Sequence, residues 1–297
     1  MHKTKYIASV VAAGILWGCI SIFIKQIDSA DFTLPEILAL RALISSVILF
    51  IFLFFTDRQK LMFSLKDIWM FLGSGVISLT FFSMCYFRTI LETGASVAVI
   101  LLYTSPIFVL LLSLVLFREK ITGTKLAALA MTFGGCILVS GILTGEGTMS
   151  VKGFFIGLGA GFGYALYSIF SRYALRKYSP LTVTFYTFLF SGLSIFPFCS
   201  FGHIASAMDP SVVMWVIGIA FFCTVLPYFF YTYGLMRLET GKAAILVAVE
   251  PLVGTLMGLC VFAEPVTLLK ITGIVLSFAA VILLATVKDK PSPNQQR

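Results

Sequence analysis

The sequence predicts an all-α membrane protein with ten transmembrane helices arranged as two inverted five-helix repeats. Three observations lead there. Apolar residues make up 59% of the chain and charged residues 11%, against about 25% charged in soluble domains. The apolar residues fall into ten runs, each close to the roughly 20 residues needed to span a bilayer. The chain also repeats itself at an offset near 147 residues.

The runs cover residues 6–24, 35–56, 67–88, 94–117, 124–143, 153–172, 180–201, 211–235, 242–263 and 267–287. No gap between them is long enough for a soluble domain, and the tail Lys288–Arg297 is too short to fold. The first run ends at Lys25 without a small-residue cleavage site, so it reads as a retained helix, not a signal peptide.

Placing both termini in the cytoplasm puts 16 Lys and Arg residues on the inside and 4 on the outside, with Arg41 left inside a run. Basic residues gather on the cytoplasmic side of membrane proteins. The net charge of +8 therefore marks inner loops and not a nucleic-acid surface. The expected location is the plasma or inner membrane, with a monomer sufficient.

Cys19, Cys85, Cys136, Cys199, Cys223 and Cys260 all lie in apolar runs without a CxxC pair, and the two histidines, His2 and His203, are far apart. Buried packing is the expectation for the thiols, with neither metal nor cofactor.

The repeat is visible in three places. AGILWGCISIFIK (Ala13–Lys25) aligns with AGFGYALYSIFSR (Ala160–Arg172), and LETG occurs at Leu91–Gly94 and Leu238–Gly241. SPIFVLLLSLVLFREKIT (Ser105–Thr122) aligns with EPLVGTLMGLCVFAEPVT (Glu250–Thr267), pairing Pro106 with Pro251 and Glu119 with Glu264. Residues 1–146 and 147–297 thus form two copies. Five spans is an odd number, so the copies insert in opposite senses. Inverted repeats recur in secondary transporters, with the substrate site near the midplane between them.

The ten runs, the duplication and the two Pro-to-Glu spacings resemble the drug/metabolite transporter superfamily, in its EamA branch. The resemblance covers nearly the whole chain. It implies a transporter of small metabolites, most often an exporter of amino acids and sometimes an importer.

Glu250 is the first candidate for the chemistry. Counted from Lys242 it lies about 12 Å into its run. An ionised side chain at a helix centre costs roughly 2.5–3.5 kcal/mol on insertion scales. It is therefore expected to face a cavity, find a donor or bind a proton. Pro251 breaks the helix beside it and is expected to free the carbonyl of Val247. The first copy keeps the proline but has Ser105 in place of the acid. Arg41, about 9 Å in from Pro35, can hold a substrate carboxylate, pair with Glu250 or snorkel to the headgroups.

Trp17 and Tyr164 occupy equivalent places in the repeats, and Tyr103, Tyr167, Tyr186 and Tyr228 also fall inside runs. Such aromatics either pack with one hydrogen bond or form a cage for an ammonium group. Pro106, Pro251 and Pro227 are expected to kink or gate their helices, and Pro197 to kink its own. The pairs Gly14/Gly18, Gly157/Gly161, Gly159/Gly163 and Gly254/Gly258 permit close helix contacts.

A secondary transporter working by alternating access fits these features. No GxxxxGK[ST] loop is present, so ATP is not a direct driver. An intramembrane enzyme would need paired carboxylates, HExxH or a nucleophile with its base. A channel usually builds its filter from symmetric subunits. One acid, one base and several aromatics suit an amino acid or another small zwitterion or amine, with a proton as a coupling ion at Glu250. A lipophilic cation, as in multidrug export, needs only the acid and the aromatics. A nucleotide sugar would want more than one deep base.

The charge bias predicts the topology. A cysteine introduced at Asp289 should resist impermeant thiol reagents applied to intact cells and react after the membrane is opened. Labelling from outside would rule this orientation out.

Overall fold

A computed structural model describes residues 4–27, 31–140, 142–144, 150–261 and 267–286. Glu264 and the tail from Lys288 lie outside these. Among the described residues the regular structure is helical, without strands. Among these residues, nine helical stretches are long and apolar enough to cross a membrane, and a tenth, Gly123–Val139, is shorter.

The first span is α1 (Thr4–Gly18) followed by α2 (Ile20–Ile27), and the second is α3 (Leu34–Thr56). The third joins α4 (Ile68–Leu72), a π-helical stretch at Gly73–Thr80 and α5 (Phe81–Thr93). The fourth is broken into α6 (Ala95–Leu102) and α7 (Ser105–Phe117), and α8 (Gly123–Val139) is the fifth. The second half opens with α9 (Val151–Ala174) and α10 (Pro180–Ile195), then a short α11 (Phe201–Ala207). Its third span, the eighth overall, joins α12 (Pro210–Ala220), a π-helical stretch at Phe221–Val225 and α13 (Leu226–Leu235). The ninth is α14 (Thr240–Leu246), a 3-10 turn at Val247–Val249 and α15 (Glu250–Val261), and the tenth is α16 (Leu268–Thr286).

Local chemistry sets the span ends. Side chains of Thr122, Ser150, Ser179 and Asp209 accept backbone N–H bonds in the first turns of α8, α9, α10 and α12. Thr33 and Glu36 form a capping box on α3. Proline sits in the first turn of α3, α10 and α12, where its missing N–H is not needed. Pro197 falls in a 3-10 turn at Phe196–Phe198 that ends α10, so it terminates this helix instead of kinking it.

The packing is unchanged when the halves are exchanged. The first span lies on the eighth and ninth through α13 and α15, and the sixth lies on the third and fourth through α5 and α7. The second packs on the seventh, the fourth on the ninth and the fifth on the tenth. Replacing each span by its counterpart five places on returns the same pairs.

Equivalent glycines seat the two broken helices. A Cβ on Gly14 would lie 2.6 Å from the Val247 carbonyl oxygen and 2.5 Å from Val249 Cγ1. One on Gly161 would lie 2.8 Å from the Leu101 oxygen and closer still to Thr104 Oγ1. Only glycine lets α1 and α9 approach the breaks this closely. The break in the ninth span differs from expectation in one respect. The Val247 carbonyl is not left free, because the Glu250 N–H turns back to it within the 3-10 turn.

These contacts predict that Gly14→Ala destabilises the fold by about 1–3 kcal/mol through overpacking. Gly123→Ala, where a Cβ meets nothing within 4 Å, should stay within about 0.5 kcal/mol. Thermal unfolding in detergent compares them: a lower midpoint is expected for Gly14→Ala alone.

Candidate functional site

Glu250 opens α15 directly after the 3-10 turn, so the break turns its side chain away from the path of a continuous helix. The Tyr103 and Tyr164 phenols stand beside its carboxylate. Tyr103 caps α6 at the break in the fourth span, and Tyr164 lies midway along α9. Both helix breaks therefore meet at one acid.

The carboxylate lines a cavity of about 270 Å³ together with Arg41, Trp17, Tyr164 and Tyr228. That volume is near the lower end of small-molecule pockets, about 300–1,000 Å³. The cavity extends from Glu250 to Ile24, Leu38 and Phe87. Those residues lie near the span ends that face away from the chain termini.

Arg41 projects from α3, and its Nε donates to Thr224 Oγ1 at 3.3 Å. Thr224 is available there because of the π-helical stretch before Pro227. Leu226 N–H bonds Phe221 O, five residues back, and the Thr224 hydroxyl bonds Ile219 O at 2.9 Å. The third span repeats the device: Phe81 N–H reaches Val76 O, and Thr80 Oγ1 bonds Gly75 O at 3.2 Å. Arg41 and Glu250 feel each other's charge, yet among the described residues they form no direct ion pair.

Aromatic rings hold the walls. Tyr228 meets Trp17 edge-on at 4.8 Å, Phe188 at 4.8 Å and Tyr167 at 5.0 Å. Tyr164 packs on Phe82 at 5.2 Å. A second chamber of about 410 Å³ shares Glu250, Trp17 and Tyr86 with the first and adds Tyr103, Ser21, Ser140, Thr255 and Lys270. The acid thus stands on the wall between two chambers.

Of the residues singled out in the sequence, Glu250, Arg41, Trp17, Tyr164 and Tyr228 come together at the first chamber. Tyr103 and Pro251 line the second. Pro106 and Pro227 each stand in the first turn of a half-helix, α7 and α13. Tyr167 sits on the terminus side, against a void of about 10 Å³. Tyr186 is not brought to the cavity. Its phenol donates to Leu61 O, and its ring packs on Phe63 at 4.5 Å and Phe71 at 5.0 Å. Tyr86, Thr224, Phe82 and Phe188 line the first chamber without having been singled out. The alternation of polar and apolar residues carries no sign of a π-helical turn, which rotates the face that follows it.

The EamA-like transporter family matches residues 4–141 and again 151–286. An uncharacterized transporter of Archaeoglobus fulgidus is 29% identical over 93% of this chain and 94% of its own length. The uncharacterized transporter YetK of Bacillus subtilis is 26% identical over 85% of this chain and 78% of its own. A Salmonella typhimurium protein described as a probable amino-acid metabolite efflux pump is 25% identical over 95% of this chain and 94% of its own. One solved crystal structure superposes with a TM-score of 0.77 over 94% of this chain and 95% of that one, at 16% identity, a likeness of fold alone. With both halves matched in succession, the chain belongs to the EamA-like transporter family and is a multi-pass membrane transporter.

Proposed function

We propose that this transporter exports a small zwitterion or amine, foremost an amino acid, by alternating access, with Glu250 exchanging a proton for the substrate ammonium. The carrying observation is that a base from the first half and an acid from the second line one cavity without pairing directly. A zwitterion fits between them, its carboxylate on the Arg41 fork and its ammonium on Glu250. Arg41 has five N–H donors, and its hydrogen bond to Thr224 uses one of them.

The rings around Glu250 suit an ammonium group, and the Tyr103 and Tyr164 phenols beside the carboxylate add polar partners for it. Exchange works if a proton takes the place of the departing ammonium. With cytoplasmic termini, as the charge bias suggests, the cavity faces outward in this conformation. No part of this reading requires a catalysed reaction. The amino-acid metabolite pump among the relatives supports the substrate class. The apolar wall from Ile24 to Phe82 also accommodates a lipophilic cation, which would need Glu250 and no partner at Arg41.

Counterflow in proteoliposomes separates these substrates. Arg41→Lys should weaken amino-acid binding by about tenfold, since a point charge replaces a bidentate fork. Amines lacking the carboxylate should change little. Equal loss for both would mean that Arg41 is structural.

Glu250→Gln keeps the shape and removes the charge. It should abolish accumulation driven by a pH gradient and weaken binding of amines and amino acids alike. Transport at the parent rate with an unchanged pH profile would overturn the proton-exchange mechanism.

A further inference from the structure

Opposite the open cavity, the terminus end of the molecule is tied shut. Glu119 follows α7 and is 4% exposed. Its Oε1 accepts from Thr240 N at 2.7 Å and Thr240 Oγ1 at 2.8 Å, and its Oε2 from Gly241 N at 3.1 Å. One carboxylate from the first half thus grips the start of α14 in the second. The turn that delivers it passes through Arg118 at φ 54°, a conformation that residues with side chains rarely adopt. Lys125 reinforces the contact, 2.7 Å from Glu239 and 2.8 Å from the Lys120 carbonyl. A Cβ on Gly241 would run into Leu110 Cδ2, so α14 is seated tightly on α7.

The tetrapeptide LETG provides an internal comparison, because its two copies differ in conformation. At Leu238–Gly241 the preceding helix has ended, Glu239 is extended (φ −64°, ψ 141°), and α14 starts at Thr240. At Leu91–Gly94, on the end where the cavity opens, α5 runs on to Thr93. Thr93 Oγ1 bonds Thr89 O at 2.8 Å, and the break comes at Gly94 with φ 85°. One sequence therefore holds two states, and the gripped one is on the closed side.

Between Glu250 and that grip lie polar groups that a permanently dry core would not favour. Ser168 Oγ and Tyr231 Oη share a hydrogen bond of 2.8 Å. Tyr167 Oη and Ser171 Oγ are buried near each other without a hydrogen bond of ordinary geometry. The void beside them measures about 10 Å³. Buried hydroxyls without partners cost this state free energy, and a state in which water reaches the same wall relieves that cost.

We infer that the closed half of the transport route runs past Tyr167, Ser168, Ser171 and Tyr231, and that Glu119 on Thr240–Gly241 is the catch that holds it shut. Glu119 is a positioning residue: it touches no substrate and acts through α14, whose far end leads into the turn carrying Glu250. The inference rests on transport by alternating access, and not on which substrate is carried.

Accessibility tests it. All six native cysteines are replaced, and a single cysteine is placed at Ser168, on the closed route, or at Ser83, on the open cavity. Impermeant thiol reagent is applied to right-side-out and inside-out vesicles without substrate. In Glu119→Gln an amide N–H replaces an accepting oxygen. Labelling at position 168 from the terminus side should rise about tenfold, and labelling at position 83 from the other side should fall comparably. Thr240→Val should move both rates the same way but less, and Thr240→Ser should restore them. The inference fails if both positions label faster together, which marks a loosened bundle, or if Thr240→Val leaves both rates at parent values. A failure of amino-acid counterflow would sink the substrate assignment and leave this result standing.

Discussion

A helix broken inside a bilayer must find a partner for every peptide group that the break releases, because lipid offers none. That requirement shapes both halves of this protein. In the ninth span the Glu250 N–H returns to Val247 O, and the oxygen sits over the bare backbone of Gly14. In the fourth span Thr104 bonds Leu101 O through its N–H at 3.2 Å and its hydroxyl at 2.6 Å, with Gly161 alongside. The glycine pairs of the first and sixth spans, the exchange-symmetric packing and the meeting of both breaks at Glu250 all follow from closing these gaps. A Cβ at either glycine would separate helix from break and expose the carbonyls that the approach protects.

Hydroxyl side chains supply much of the remaining satisfaction, and they tie neighbouring spans together. Ser74 bonds Thr187 at 2.6 Å and Thr80 bonds Ser194 at 2.7 Å, joining the third span to the seventh. Ser45 reaches Ala220 O at 3.1 Å, joining the second span to the eighth, where Arg41 and Thr224 already meet. Each such bond contributes only about 0.5–1.5 kcal/mol net. Bonds this modest can be exchanged during a conformational cycle without unfolding the bundle. The closing contacts at the terminus end are of another kind, since charged groups make them. Glu119 grips α14, Lys177 lies 2.6 Å from Asp67, and Arg172 donates to the carbonyls of Leu235 and Leu238.

Most of the fold is legible in the sequence because the bilayer imposes it. Run lengths follow from membrane thickness, and the repeat survives in letters such as LETG and the two prolines. Glu250 and Arg41 stand out by their isolation in apolar runs, and both line the cavity. Periodicity cannot tell Tyr186, which packs on Phe71, from Tyr86, which lines the cavity, because the face a tyrosine presents depends on the helix register before it. In the third span that register changes across Gly73–Thr80. Thr224 is hidden for the same reason, as its place opposite Arg41 comes from the π-helical stretch at Phe221–Val225. The Val247 carbonyl departs from expectation because a missing proline N–H does not leave an empty place when the chain can tighten and fill it.

The two halves are alike in backbone and unlike in charge, and the division matters. The features needed for two interchangeable states are duplicated: the breaks, the glycines, the π-helical stretches and the LETG corners. The charged groups that line the cavity are not. Glu250 has Ser105 as its counterpart, and Arg41 occurs once. In the proposed alternating-access cycle, a symmetric frame would let the two states approach each other in energy, since an interaction that opens at one end would have an equivalent that closes at the other. A ligand with different affinity for the two states, or a proton on one carboxylate, then shifts the balance by only the difference in its interactions. Duplicating the acid would place a second charge at the same depth and add a desolvation cost of roughly 2.5–3.5 kcal/mol. A single acid at the junction of both breaks avoids that cost, and in the proposed alternating-access cycle it is the one charge that both states share.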